Sequence, residues 1–360
     1  MNASILISTV GSSMLFNIRT SSGEQFADLR RFAADRQWDQ TARALRKVDP
    51  DDRICGAEIN SVHELLHSVQ SVALHFLVSD TEDGEAIGAV LRGYYKTDSC
   101  NIHKIIGLNP TDSNRFRRVG LSNLVNTIGD IVKKAGDPKR VALNPLGGYK
   151  AEIAVAGLVG QALQIPVYYM FEGANVMVMP PMPISFDDSL YADNADIFEE
   201  LERCGEIEVG SDEVIDERLL PLLEDERIDG KRYLGLSFIG KIFLDGFRLR
   251  NPVVENLPDA PRAAERKPPT FRDDHFPSGF KDYVNDVWTQ TPYIKTCHSV
   301  DYAGQRSIKH RRFHFRPANR EIVGEFNLDN FGARFTVLTE AKTEAERNAV
   351  IQDLNERFGR

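Results

Sequence analysis

Two stretches of this chain carry residues whose types and spacing could do chemistry. Between positions 306 and 320, Arg306, Lys309, His310, Arg311, Arg312, His314, Arg316 and Arg320 follow one another with no acidic residue among them. Such a run binds phosphate or simply solvates a surface. Its sharper chemical reading is cleavage of RNA without a metal. Breaking an RNA phosphodiester through its own 2′-hydroxyl requires a base for that proton. It also requires cations for the charge gathering on the phosphate and a donor for the leaving 5′-oxygen. Lysine and histidine can act as base and acid when neighbouring cations move their pKa values towards neutrality, and arginine clamps phosphate through paired hydrogen bonds. No carboxylate cluster suited to Mg²⁺ accompanies the run, so the expectation is catalysis with no metal and no cofactor.

The second stretch is Val141 to Lys150. Val141-Ala142-Leu143 is a short apolar run, Asn144-Pro145 breaks it, Gly147-Gly148 turns the chain, and Tyr149-Lys150 opens an almost wholly apolar segment reaching Leu163. That is the pattern of a strand, a glycine turn and a helix N-terminus. Such a junction presents backbone N–H groups to an anion, with the helix dipole in its favour and Lys150 adding a full charge. Paired glycines after a strand also form plain turns. A similar small-residue loop, Gly11-Ser12-Ser13, follows the apolar run Ser4–Val10 that contains Thr9.

The elements that must position these residues follow from periodicity. Up to Pro180, helical segments at Gln25–Arg36, Asn114–Ala135 and Lys150–Leu163 alternate with apolar runs. Those runs, at Ser4–Val10, Val72–Val78, Ile102–Ile106, Val141–Leu143 and Pro166–Met170, read as strands. Alternation of this kind predicts a doubly wound α/β domain, with ligands beyond the carboxyl ends of the strands. Asp187 to Asp229 is strongly acidic and is expected to be mostly solvated helix, and Tyr233–Gly246 to close a small helical unit. Asn251 to Pro277, rich in proline, alanine and charge, is expected to be an extended linker.

Beyond it the pattern predicts a helix at Phe280–Trp288, a loop, and strands at Arg311–Pro317, Ile322–Leu328 and Arg334–Thr339. Turns are expected at Asn319-Arg320 and Asn330-Phe331-Gly332, and Thr343 to Glu346 should start a last helix. At period two, Phe313 and Phe315 share a face with Phe335 and Val337. Arg312, His314 and Arg316 share the other with Arg334 and Thr336, which should be an open basic surface.

Composition sets the frame. A chain of 360 residues should hold two or three domains, and a net charge of −9 confines any basic function to a local patch. Cys55, Cys100, Cys204 and Cys297 lie far apart and read as free thiols, neither a disulfide frame nor a zinc site. With no apolar stretch long enough to cross a bilayer and no basic residue before the first apolar run, the expectation is a cytoplasmic protein with no membrane partner.

Residues Ile5–Ser13, Asn144–Lys150 and Ile165–Tyr169 together resemble the CRISPR-associated Rossmann-fold (CARF) sensors of type III systems. That resemblance implies a homodimer binding a cyclic oligoadenylate, with cA4 the expected activator, through Thr9, Gly11, Ser12, Ser13, Gly147, Gly148, Tyr149 and Lys150. Tyr233–Phe247 looks like a winged helix-turn-helix. The C-terminal part is similar to RelE-type mRNA interferases, which implies catalytic roles among Lys309, His310, Arg312, His314, Arg316 and Arg334, mRNA as substrate and the ribosome as partner. Members of that family often use a tyrosine near the C-terminus; no tyrosine follows Tyr302, so His310 or His314 would take its place.

The fold class implied is an α/β Rossmann-like CARF domain at 1–181 and a small winged helix-turn-helix at 182–256. A linker at 257–272 leads to a C-terminal α+β RelE-like domain with an antiparallel sheet at 273–360. A HEPN ribonuclease is disfavoured because no arginine lies five to seven residues before any histidine. The alternatives are a ligand-sensing transcription regulator, against which the acidic middle region counts, and a ring nuclease that uses Ser12, Ser13 and Lys150 to degrade the signal. The expected mechanism is allosteric, with the linker and winged helix masking the basic face until ligand binds.

Overall fold

The computed structural model describes residues 3–66, 72–170, 176–182, 187–210, 215–272, 275–300, 308, 311–316, 319–328 and 331–359. The chain divides into two compact units, Met1–Ile184 with Ser237–Asp245 and Ser185–Leu236 with Gly246–Arg360.

In the first unit, the apolar run after Ser4 becomes β1 (Ile5–Thr9), an interior strand buried on both faces, as its sequence requires. It is followed by α1 (Ser13–Thr20), α2 (Ala27–Ala34), α3 (Trp38–Leu45) and α4 (Gly56–Leu66). Next come β2 (Ala73–Ser79), α5 (Glu82–Tyr95), β3 (Cys100–Ile105) and α6 (Ser113–Arg115), which runs through a π-turn at Phe116–Gly120 into α7 (Leu121–Ala135). β4 (Val141–Asn144), α8 (Lys150–Ala162), β5 (Val167–Met170) and β6 (Val176–Met179) complete the unit. The sheet order is β3-β2-β1-β4-β5-β6, parallel except for β6. Strand order therefore reverses between β1 and β4, and the two glycine loops leave the sheet there. Leu6, Phe76, Met14, Ile59 and Ile87 are fully buried in the core beneath. Gly160 lets α8 approach β5 so closely that a Cβ there would strike Val167.

The second unit begins with α9 (Ser189–Asp193) and α10 (Ala195–Cys204). A three-stranded antiparallel sheet follows, ordered β7 (Glu206–Val209), β9 (Lys231–Leu236), β8 (Leu223–Ile228). α11 (Phe238–Arg250), whose residues up to Asp245 belong to the first unit, and α12 (Val253–Asn256) come next in the chain. The segment Tyr233–Gly246 is thus the end of a strand and most of a helix, because Gly235 pairs across to both Glu206 and Glu224 while Ser237 Oγ accepts from Gly240 N–H at 3.1 Å and caps α11. The C-terminal portion comprises α13 (Phe280–Gln290), β10 (Ile294–Ser299), β11 (Arg312–Arg316), β12 (Glu321–Leu328), β13 (Phe331–Thr339) and α14 (Glu344–Phe358). Its sheet is antiparallel, ordered β10-β13-β12-β11.

Three details differ from expectation. Ile294–Ser299 is a strand where the sequence indicated a loop; its threonine, cysteine and serine positions are buried against the core without giving an apolar signal. Phe331 and Gly332 belong to β13, paired with Leu328 and Asn327, so the hairpin connection is shorter than the glycine suggested. The Pro-rich stretch, expected to be a free linker up to 272, ends as a strap along β10. Lys267 N–H donates to Lys295 O at 2.9 Å, Thr270 N–H to Cys297 O at 2.9 Å, and Ser299 N–H to Thr270 O at 3.0 Å. The Arg266 guanidinium stacks on Trp288 at 4.4 Å and donates to Ile294 O at 3.2 Å. Prolines are tolerated at this position because it is the sheet's outer edge, and the strap protects that edge.

Candidate functional site

At the carboxyl edge of the first sheet, the two glycine loops meet. Thr9 Oγ1 donates to Gly147 O, joining the end of β1 to the turn after β4. A Cβ on Gly147 would lie 2.5 Å from Gly11 N, and one on Gly11 would lie 2.8 Å from Gly148 N, so both loops need glycine to cross. Asn144 fixes the base of the turn, donating to Ser8 Oγ at 3.1 Å and Ser61 Oγ at 2.9 Å. Beside the crossing lies a cavity of about 340 Å³, lined by Gly11, Ser12, Ser79, Thr81, Gly148 and Tyr149 among others. Of the predicted ligand residues, Thr9, Gly11, Ser12, Gly147, Gly148 and Tyr149 are brought together. Ser13 and Lys150 are exposed at the first residues of α1 and α8.

The expectation of unpaired N–H groups at this junction is corrected by two carboxyls. Gly11 N–H donates to Glu58 Oε1 at 2.8 Å and Tyr149 N–H donates to Glu152 Oε1 at 3.1 Å. Both side chains are almost wholly buried, and the second oxygen of each has no hydrogen-bond partner among the described residues. Burial therefore raises both pKa values, that of Glu152 to about 7, against the opposing pull of the N–H donors. Each carboxyl supports its loop, and the upward shift lessens its negative charge; Glu82 and Asp83 also line the cavity. Sequence reasoning missed both acids. Glu152 at the third helical position is a capping signal that could have been read; Glu58 lies far away in sequence and gives none. Phe116 of the π-turn, edge-on to Tyr149 with centroids 5.5 Å apart, is another residue of the rim that the pattern did not mark.

In the second unit, Phe313, Gly324 and Phe335 stand opposite one another on the apolar face of the four-stranded sheet. Gly324 makes room there for the Phe335 ring, and Phe280 of α13 meets Phe326 and Phe335 with centroids 5.9 Å away. The other face carries Arg312, His314, Arg316 and Arg334. It is not the open cationic surface that was expected, because β12 inserts Glu325 between Arg312 and Arg334 in the cross-strand register. Arg312 Nε donates to Glu325 Oε2 and Arg334 Nε to Glu325 Oε1, each at 2.6 Å, and the carboxylate is fully buried. Burial works to raise its pKa, but the Arg312 charge, the two hydrogen bonds and the His314 charge outweigh it and hold the group below its ordinary value. Val323 and Thr336 on the same face are also buried. Arg316 stands opposite Glu321 at the strand end. Lys309 and His310 lie outside the described residues. Neither acid was visible as a partner, because both come from the next strand.

The acidic segment is likewise not a purely solvated helix. α9 and α10 pack against β11, and α10 against α14. Tyr191 stacks on Phe247 at 4.0 Å, its hydroxyl donates to Glu199, and Arg248 pairs with Glu202. A second cavity of about 340 Å³ is lined by Glu200, Glu202, Arg311, Arg312 and Glu356, among others, so acids of α10 share a crevice with Arg311 and with Arg312, the first residue of β11.

Among the described residues, no helix is long and apolar enough to cross a membrane. No curated protein matches the chain. Among solved structures, protein VC1899 from Vibrio cholerae is similar at 11% identity over 94% of this chain and 78% of its own, with a TM-score of 0.25, a level that transfers neither fold nor function. Residues 53–183, which include Glu58, Gly147–Lys150 and Glu152, match the model of a family described as CRISPR-associated protein (Cas_APE2256), a similarity over about a third of the chain that supports CRISPR association.

Proposed function

We propose that this chain is a cyclic-oligoadenylate-activated, metal-independent endoribonuclease that cuts mRNA on the ribosome. The observation that carries the reading is the pairing, in one chain, of two different sites. One is a CRISPR-associated α/β unit whose glycine loops cross at the reversal of strand order; the other is a small antiparallel sheet with an arginine- and histidine-bearing face. In this reading the first unit is a CARF sensor and a homodimer. Gly11, Ser12, Gly148, Tyr149 and Lys150 receive the phosphates and riboses of the ring, the helix dipole of α8 favouring its charge. Two copies of the crevice suit a ligand with two-fold symmetry. The region from α9 to α11 takes the place of the winged helix-turn-helix, and the C-terminal sheet that of the RelE-like nuclease.

At the nuclease face, Arg312 and Arg334 stabilise the charge that develops on the phosphate. His314, with Lys309 and His310 from the preceding segment, supplies proton transfer. The resting state is masked by α10, whose carboxylates stand near Arg311 and Arg312, while the Pro-rich strap lies on the opposite edge of the sheet, at β10. Ligand binding shifts the population to an arrangement in which RNA replaces those carboxylates.

Two variants test the two halves. Lys150→Ala is expected to abolish the response to ligand and leave the fold intact, and unchanged activation would remove Lys150 from the site. The double variant Arg312→Ala, Arg316→Ala is expected to stop cleavage while the affinity for cyclic oligoadenylate stays as in the wild type; a fully active double variant would take the strand face out of the chemistry.

A further inference from the structure

We propose that Glu325 is a positioning residue that draws Arg312 and Arg334 together across β12, so that both guanidiniums converge on one phosphate of the RNA. This inference rests on the ribonuclease reading of the same face. Arg312 and Arg334 stand on β11 and β13, two strand spacings apart, about 10 Å for side chains that rise straight from the sheet. Left alone, two like charges would also splay. The carboxylate of Glu325 lies between them in register and gives one oxygen to each Nε at 2.6 Å.

Because Nε is the atom engaged, the plane of each guanidinium is fixed, and with it the direction in which its Nη edge donates. Paired arginine donors of fixed direction are what bidentate phosphate recognition needs. Fold stability gives a poor account of the arrangement. Removing a carboxylate and two guanidinium edges from water costs about as much as their attraction returns, and apolar residues of equal volume would serve a core as well or better. Hydrophobic neighbours were available on this face, since Val323 is fully buried one pleat along. The acid also limits the net charge of the face, so that it holds a phosphate by direction more than by bulk attraction.

The experiment is steady-state cleavage by the ligand-activated full-length protein, comparing wild type with Glu325→Gln and Glu325→Asp at matched folded fractions measured by thermal unfolding. Glu325→Gln adds net positive charge and loosens the two guanidiniums. The expected result is a split: kcat falls about 100-fold, the scale of a misplacement of about 1 Å, while KM stays the same or decreases. Glu325→Asp keeps the charge between the arginines but withdraws it by one methylene. It is expected to stay folded with a modestly lower melting temperature and to lose kcat by roughly 10-fold per folded molecule, so the proposal remains testable if the glutamine variant fails to fold. Wild-type kcat per folded molecule in both variants would overturn the positioning role and leave the ribonuclease reading standing. A rise in kcat would overturn it too, since the acid would then be an inhibitor of the face. No cleavage by the wild type under any activating condition would overturn both readings together.

Discussion

Glu152 shows how a single buried group can set the electrostatic character of the crevice at the glycine loops. Its carboxyl satisfies Tyr149 N–H at the start of α8, and burial keeps its proton up to about pH 7. The folded chain holds that proton where the unfolded chain, with an ordinary value of 4.5, has released it. Its stabilising contribution is therefore full below 4.5 and is lost as pH rises to about 7. On the measure of about 1.4 kcal/mol per pKa unit, the contribution is on the order of 3 kcal/mol. Glu152→Gln, which stays neutral at every pH, should remove this part of the pH dependence. Melting curves from about pH 5 to pH 8 are expected to show the wild type losing several degrees relative to the variant. Parallel pH profiles for the two proteins would mean that the carboxyl is not protonated at neutral pH.

At the scale of elements, α14 shows what sequence patterns reveal and what they hide. Its start was legible: Thr343 Oγ1 accepts from Glu346 N–H at 3.1 Å, and Glu346 Oε2 accepts from Thr343 N–H at 2.9 Å, the reciprocal cap that the spacing of Thr343 and Glu346 announces. Ala349, Ile351, Leu354 and Phe358 form an apolar stripe at helical spacing in the sequence, and the first three are buried while Phe358 is half-buried. Hidden was the role of Asn355, whose amide donates to Phe313 O at 2.9 Å and accepts from Phe313 N–H at 2.7 Å, closing the outer edge of β11 as another strand would. Asn355→Ala leaves both backbone groups unpaired. It is expected to lower the stability of the second unit by about 3 kcal/mol, measured by denaturant unfolding; a change below about 0.5 kcal/mol would mean that water replaces the amide.

The same division runs through the chain. The strands β1, β2, β4 and β5, the glycine turns and the alternation on β11 were readable because local sequence dictates them. Helices α3, α4 and α5, the strand β10 and the partners Glu58, Glu321 and Glu325 were not. Their positions depend on register and on segments far away in sequence, and a single side chain such as Glu325 looks like any polar residue of a strand until its neighbours are known.

At the scale of the molecule, the proposed control depends on charge. Glu200 of α10 shares a crevice with Arg311 and Arg312, and a charge contact of this exposure is worth at most about 1 kcal/mol. Glu200→Lys turns attraction into repulsion and is expected to raise cleavage without ligand by roughly 5-fold, the population change that 1 kcal/mol brings. An unchanged basal rate with normal activation would remove α10 from the control of the face.

The proposal that a nucleotide signal read by the first unit releases an RNA-cutting face in the second is tested by translation-dependent mRNA cleavage in a reconstituted system. Each cyclic oligoadenylate ring size is added separately, beside a reaction with none and a reaction on free RNA. Cleavage is expected with one ring size and only on ribosome-bound message. Cutting of free RNA would keep the gated nuclease and remove the ribosome from it, and the absence of cleavage with every ring size would contradict the claim.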